Sequence, residues 1–460
     1  MKIAKLFILG TILLSSHISA QTQNFFELEI PKNFEMFNQE IIFSNDGYGI
    51  LKMSGLTRIP QKNSYRTQWY YYISPDGGVL GQFSCVECFL DYKGTSYSDE
   101  LTYIYLEGSL NQKKGNYFLK FEKKPNGVTN IGELEINEIE NGDEFYFSFT
   151  NNNQYYRLYK NSKESSLTIL RISNNKVDLV WKAVVKDEIL KRFKKNQLNV
   201  YLNDVIDFDF SKLNGNQLKF VDNTLIIATD NYGVISIMKI SESGVQEFEV
   251  KQTEDISDLA YYISDTTILL FKSIFDLNGR RLAIELRDLS TKPIAQTILT
   301  EDEKSIAGYK SIPIYQSNGD TVALSANKLG KQFIKKFNGS IQIRYKESKE
   351  GNLIITILNE SESVGMPAGG YGGVGGPSAG GLTVGGGPSG FYTFTNLSVS
   401  KTDLKPIKDS EVITPNIKLV LRKKELDLSK KSQSVSYSKS FIYLSYQQKK
   451  ENKIVIEKIN

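Results

Sequence analysis

Asp222–Ile240 reads DNTLIIATDNYGVISIMKI. Two short aliphatic runs, Leu225–Ala228 (LIIA) and Val234–Ile240 (VISIMKI), are bounded by Asp, Asn, Thr and Gly. Such runs fit a pleated, packed surface, and the polar residues between them fit tight turns. The same pattern recurs at Thr267–Phe271 (TILLF), Leu282–Leu286 (LAIEL), Ile341–Tyr345 (IQIRY), Leu353–Leu358 (LIITIL) and Lys453–Ile459 (KIVIEKI). The chain is rich in strand-favouring aromatics, with 26 Tyr, 25 Phe and 2 Trp. Asn-Gly pairs begin at Asn126, Asn141, Asn214, Asn278, Asn318 and Asn338, and Asp-Gly pairs at Asp46 and Asp76. These dipeptides tolerate the positive φ angles of turns that match strand twist, so each is a hairpin signal. A chain that doubles back this often is all-β, built of antiparallel sheets. One helix is expected, at Val184–Phe193 (VVKDEILKRF), where Val185, Ile189 and Phe193 share a face.

Weak repetition runs through this pattern. Ser44–Met53 (SNDGYGILKM) is similar to Thr229–Ile240, and units opening at Asp222, Asp265 and Ser317 each join a turn to an apolar strand. Their spacing is close to the roughly 40–50 residues of a four-stranded propeller blade. On these residues the sequence resembles the diverged β-propeller class. With its leader and its Lys/Asn/Ile/Tyr-rich composition, it resembles the uncharacterised secreted propeller-like proteins of Gram-negative Bacteroidota. The resemblance covers about residues 150–360 and implies a propeller of seven or eight blades. Two or three successive β-sandwiches are the alternative architecture.

Residues 1–20 have the parts of a secretory signal: Lys2 and Lys5, the apolar core Leu6–Leu14, and small residues ending at Ala20. Cleavage before Gln21 would leave residues 21–460 as an exported β-rich region, periplasmic or extracellular. No later segment has the roughly 20 apolar residues that cross a bilayer. Loss of Lys2 and Lys5 lowers the formal charge from +4 to +2, which gives no general pull toward nucleic acid. Charge is nonetheless uneven. Lys418–Lys458 is basic, and Glu133, Glu135, Glu138, Glu140, Asp143 and Glu144 form an acidic stretch. Solvated sheet edges explain both, with an anionic glycan or a partner as the alternative.

The single histidine, His17, lies in the leader, so the exported chain would hold none. That excludes Ser-His-Asp and Cys-His catalysis and His-ligated metals. Gly365–Gly390 contains 13 of the 35 glycines and reads as a flexible insertion loop between strands. Within it, Gly370-Tyr371-Gly372-Gly373-Val374-Gly375 matches a dinucleotide fingerprint formally, but no strand leads directly into it and Pro377 follows where a helix should start. No nucleotide or other cofactor is expected. Cys85 and Cys88 are the only cysteines and supply too few zinc ligands. An oxidising compartment favours a local disulfide, with free thiols or a redox pair as alternatives. Asp204, Asp207 and Asp209 fail the EF-hand pattern, since Lys212 and Leu218 stand where Gly and Glu are required. Ser-x-x-Lys occurs at Ser325/Lys328, Ser398/Lys401 and Ser436/Lys439, all in strand-rich sequence and not at a helix start.

Trp69, Tyr70, Tyr71 and Tyr72 precede the turn at Ser74–Gly78 and are candidate glycan-contact aromatics, although alternate rings of a strand must face a core. No catalytic or metal-binding residue is assigned. Two functional expectations follow. The first is an exported non-enzymatic protein that binds a protein or an envelope or glycan partner. The second is a carbohydrate-active hydrolase using paired Asp/Glu, whose carboxyl groups must lie about 5–9.5 Å apart.

Overall fold

The computed structural model describes residues 22–459, with breaks of which 59–63, 193–197, 201–215, 302–310, 362–390 and, Arg422 apart, 408–432 are the longest. The leader, the Gly-rich stretch and Asp204, Asp207 and Asp209 lie outside the described residues.

Seven sheets follow one another along the chain. After β1 (Thr22–Glu29), sheet I holds β2 (Phe34–Phe43), β3 (Gly49–Thr57), β4 (Tyr65–Ile73) and β5 (Val79–Val86). Sheet II holds β6 (Phe89–Tyr97), β7 (Leu101–Leu110), β8 (Lys113–Glu122) and β9 (Thr129–Glu133). Sheet III holds β10 (Asp143–Asn151), β11 (Gln154–Asn161), β12 (Ser166–Ser173) and β13 (Lys176–Val184), followed by helix α1 (Asp187–Arg192). Sheet IV begins with the short β14 (Leu198–Val200), which lies parallel to β15 (Asn216–Val221), and continues through β16 (Thr224–Asn231), β17 (Val234–Ser241) and β18 (Gly244–Lys251). Sheet V holds β19 (Ile256–Ile263), β20 (Thr267–Asp276), β21 (Gly279–Asp288) and β22 (Pro293–Thr300). Each of these is an antiparallel meander apart from β14, as the density of turn residues requires.

The last two sheets depart from the simple meander. The chain first makes a hairpin, β23 (Ser311–Gln316) and β24 (Thr321–Ser325), and then helix α2 (Leu329–Lys336). It next forms β25 (Ile341–Glu347), β26 (Leu353–Ser361) and β27 (Phe391–Val399). The earlier hairpin completes sheet VI from outside, in the order β24-β23-β27-β26-β25. Sheet VII holds β28 (Gln433–Tyr437), β29 (Ile442–Gln448) and β30 (Lys453–Ile459), and its outer strand is β1. Thr22 pairs with Ile459 and Glu29 with Lys453, so the two ends of the described chain share one sheet.

Neighbouring sheets pack face to face, and each seam has its own apolar cluster. Leu51 and Tyr71 of sheet I meet Tyr443 and Ile456 of sheet VII. Tyr70 and Tyr72 of sheet I meet Leu90 and Leu106 of sheet II. Tyr105 meets Tyr155 across II/III, and Trp181 meets Met238 across III/IV. Ile237 meets Leu270 across IV/V, and Phe271 meets Ile343 across V/VI. The remaining face of sheet VII buries Val435, Ile442, Leu444 and Ile459. A sheet packed on both sides is core on both faces, which explains the nearly continuous apolar runs in the sequence. Sheets I to V each pack against the sheet before and the sheet after, an arrangement consistent with a propeller-like fold.

Three expectations change in detail. The helix is shorter than Val184–Phe193: Val184 ends β13, and α1 covers Asp187–Arg192, with Val185 and Leu190 buried. Asp222 and Asp265 do open equivalent turns, between the first two long strands of sheets IV and V. Ser317, however, lies outside the described residues. Ser44–Met53 and Thr229–Ile240 occupy different positions in their sheets, because a turn-plus-strand pattern recurs at every hairpin. Several tight turns use paired residues with positive φ and no glycine: Asn111-Gln112, Asn152-Asn153 and Asp222-Asn223. These are the angles of a type I′ turn, which Asn and Asp adopt at low cost.

Candidate functional site

The aromatic run Trp69–Tyr72 sits in β4, in the interior of sheet I. Trp69 and Tyr71 turn toward sheet VII, and Tyr70 and Tyr72 toward sheet II. All three tyrosines are buried. The Tyr72 hydroxyl is hydrogen-bonded to Thr102 Oγ1 at 2.6 Å. Burial pushes the Tyr70 phenol well above its ordinary range, with Glu40 and Asp91 adding to the effect. The expected glycan platform is therefore not formed. The pleat sends alternate rings to opposite faces, and both faces are covered.

Cys85 and Cys88 are joined as a disulfide with Cα atoms 5.9 Å apart. It spans the two-residue passage from β5 to β6, where Glu87 adopts φ +53°. Gln68 clamps the start of β6 through both amide atoms: Nε2 donates to Leu90 O at 3.1 Å, and Leu90 N donates to Oε1 at 3.0 Å. Disulfide and clamp together fix where sheet II starts relative to sheet I.

Sequence reasoning passed over the ionised groups inside the seams. Lys52 Nζ lies 3.8 Å from Glu40 Oε2 between sheets I and II. Burial pushes the Glu40 carboxyl up; Lys52 opposes this and Asp91 adds to it. Arg157 donates to Tyr155 Oη and Asn116 Oδ1, both at 2.9 Å, in the II/III seam. Lys272 and Arg287 both reach Glu285, at 2.5 Å each, on the sheet IV side of sheet V. Arg422 grips Glu457 with two bonds of 2.8 Å, and Tyr446 Oη donates to the same carboxylate at 2.9 Å. A readable signal existed in each case. Glu40 precedes Ile41-Ile42-Phe43, Arg157 stands within YYRLY, Lys272 within ILLFKSIF and Glu457 within IVIEKI. A charge in mid-strand, where both faces are covered, must find a partner inside.

These groups are spread through separate seams and locked in pairs. Among the described residues no group of three or more Asp, Glu, His or Cys could hold a metal ion. Three residues of the acidic stretch are also engaged. Glu133 pairs with Lys113 at 2.7 Å, Lys182 bridges Glu140 and Glu164, and Asn161 donates to Asp143 Oδ1 at 3.0 Å.

The two ends of the molecule differ. At one end lie the turns between first and second strands and between third and fourth strands. These are short: 44–48, 74–78, 98–100, 152–153, 174–175, 222–223, 242–243, 264–266 and 289–292 among them. Contacts tie them to one another, for example Tyr97 N to Asn153 O at 2.9 Å and Lys123 Nζ to Asp46 Oδ2 at 2.8 Å. The other end, here the upper end, carries the second-to-third turns and the passages between sheets. Connections 134–142, 185–215 and 362–390 begin and return there, and Ser361 pairs with Phe391 at the root of the last. Val185 N donates to Ser165 O and Ile30 N to Asn452 O, which binds these connections into one end.

Many exposed large apolar side chains sort the same way. Val86, Phe89, Ile139, Val184 and Phe275 lie at the upper end and Phe37 in the upper half of β2, with Val184 75% and Phe275 61% exposed. Val79 and Ile294 are at the opposite end, and Leu179 and Ile298 lie within β13 and β22. Two shallow hollows of about 440 and 350 Å³ lie where β13 leans on β17 and β18. Trp181 lines the larger one, but it is buried and donates Nε1–H to Asn223 O at 2.7 Å.

No family model and no curated protein matches the chain. Solved structures do. A Synechocystis apocarotenoid oxygenase mutant is similar at 9% identity and a TM-score of 0.27, over 59% of this chain and 63% of the other. A Dyadobacter fermentans protein of unknown function is similar at 10% identity and a TM-score of 0.25, over 82% and 98%. A prolyl endopeptidase is similar at 11% identity and a TM-score of 0.29, over 71% and 46%. The chain thus spans less than two thirds of the oxygenase it matches. Similarity at these scores carries no argument about function.

Proposed function

We propose that the protein is exported, non-enzymatic and propeller-like, and that it binds a protein or an envelope or glycan partner through its upper end. The observation that supports this is the sorting of long connections and exposed apolar side chains to that end. Binding residues concentrate on connections held by a rigid scaffold. The ionised groups of the interior act as cross-links between strands, each matched to a nearby partner. The test is protein starting at Gln21, applied to a glycan array and screened in parallel for glycan hydrolysis. Binding without turnover supports the reading, and turnover overturns it. Export is tested separately by mass spectrometry of the secreted N-terminus, expected to begin at Gln21.

A further inference from the structure

We infer that the upper end is a docking face for a phospholipid surface, which the protein would engage peripherally. This rests on the reading above and deepens it by naming the envelope component. Val86, Phe89, Ile139, Val184 and Phe275 project from strand ends and a connection, and Phe37 from the upper half of β2, in sheets I, II, III and V and the passage between II and III. A stable protein interface has a contiguous apolar centre inside a polar rim. Apolar side chains dispersed over one end, with charges between them, suit a fluid boundary that moulds itself to each.

Two of the rings carry a guanidinium. Arg66 Cζ stands 4.4 Å from the Phe89 ring centroid, and Arg280 Cζ stands 6.0 Å from that of Phe275. An apolar ring with a cation beside it is the pairing favoured at the level of lipid headgroups. There the ring enters the acyl boundary and the cation stays with phosphate. The disulfide and the Gln68 clamp hold the Val86 and Phe89 projections in place before contact, which lowers the ordering cost of docking. Acidic neighbours, Glu87 and Asp187 among them, offset much of the cationic charge. The attachment should therefore rest on apolar insertion more than on net charge.

The experiment is co-sedimentation of the chain starting at Gln21 with vesicles of phosphatidylethanolamine and phosphatidylglycerol. The wild-type protein should sediment with the vesicles and stay bound when salt is added. Phe89→Asp, Val184→Asp and Phe275→Asp together should weaken binding by at least about tenfold, on the order expected for losing several inserted side chains. Val79→Asp with Ile294→Asp, at the opposite end, should leave it unchanged. Circular dichroism and melting temperature check folding, and if the triple variant misfolds, Val184→Asp alone is read for a several-fold loss. Failure of the wild type to bind, equal loss from both ends, or release by salt alone would overturn the proposal. If vesicles are ignored while glycan binding disappears in the triple variant, the upper end remains the binding face and lipid is rejected. If glycan binding survives that variant, the upper-end assignment itself falls.

Discussion

Sheets I to V and sheets VI and VII solve the same packing problem by different means. In the first group each strand pairs with the next, and connections within a sheet are short apart from 201–215 between β14 and β15. Sheet VI takes its outer hairpin from sequence that precedes its inner strands, and that hairpin meets β27 through only two residue pairs, Tyr315–Phe394 and Gln316–Thr393. Sheet VII takes β1 from the other end of the chain. Its far face carries only four buried apolar residues in its cluster, beside a carboxylate held by Arg422. Local hairpins thus need little beyond turn chemistry and apolar strands. Where order in the sheet departs from order in the sequence, side-chain links between distant residues must hold the arrangement.

The sharpest way to break that contrast is Arg422→Ala. It leaves the Glu457 carboxylate, 1% exposed, without its cation and should cost about 3–5 kcal/mol in urea denaturation. The control is Lys453→Ala, which removes a more exposed pair with Glu27 and should cost less than about 1 kcal/mol. Equal costs would mean that burial does not set the contribution of the Arg422–Glu457 pair. Within the regular part, Gln68→Ala leaves the buried Leu90 N–H and C=O without their side-chain partner. It should cost about 1–3 kcal/mol by the same measurement. A smaller change is expected from replacing 365–390 by a short turn. Ser361 and Phe391 already pair at its root, so shortening should stabilise the protein by at most about 2 kcal/mol through loop entropy. A larger change of either sign would mean that the segment packs on the body.

The smallest effect concerns pH. The Glu40 carboxyl is raised on folding, so the folded state holds its proton more tightly than the unfolded chain does. Stability from this group is present below the ordinary carboxyl range and is lost as pH rises from the unfolded value, near 4.5, through the folded one. Glu40→Gln should flatten that part of the stability profile, measured by urea midpoints across mildly acid to neutral pH. An unchanged slope would show that Lys52 fully compensates the burial.

Much of the fold was legible because its signals are local. The apolar strands and many of the turns follow from residue type, and Gly279, from one of the Asn-Gly pairs, opens β21 at φ +99° opposite Asp276. Gly142, at φ +106°, instead lies just before β10, so the same dipeptide also marks a passage between sheets. The candidate site was less legible. Trp69–Tyr72 carries the same residues whether it faces sugar or core, and only the neighbouring sheets decide. The seam charges could be seen in the sequence, but their partners could not. Arg422 and Glu457 are 35 residues apart, and Arg157 and Asn116 are 41 apart.

The sequence by itself determined that this chain is all-β, that it turns back repeatedly, and that its single histidine is His17. Periodicity, turn propensity and composition act over a few residues, and so they survive without knowledge of the rest. Tertiary structure alone decided that there are seven sheets, that β1 completes the last and β23–β24 the sixth, and that aromatic rings became core. It also decided that exposed apolar residues distant in sequence gather toward one end. Those outcomes depend on which surfaces meet across long stretches of chain, and burial favours the arrangement that covers both faces of the inner strands.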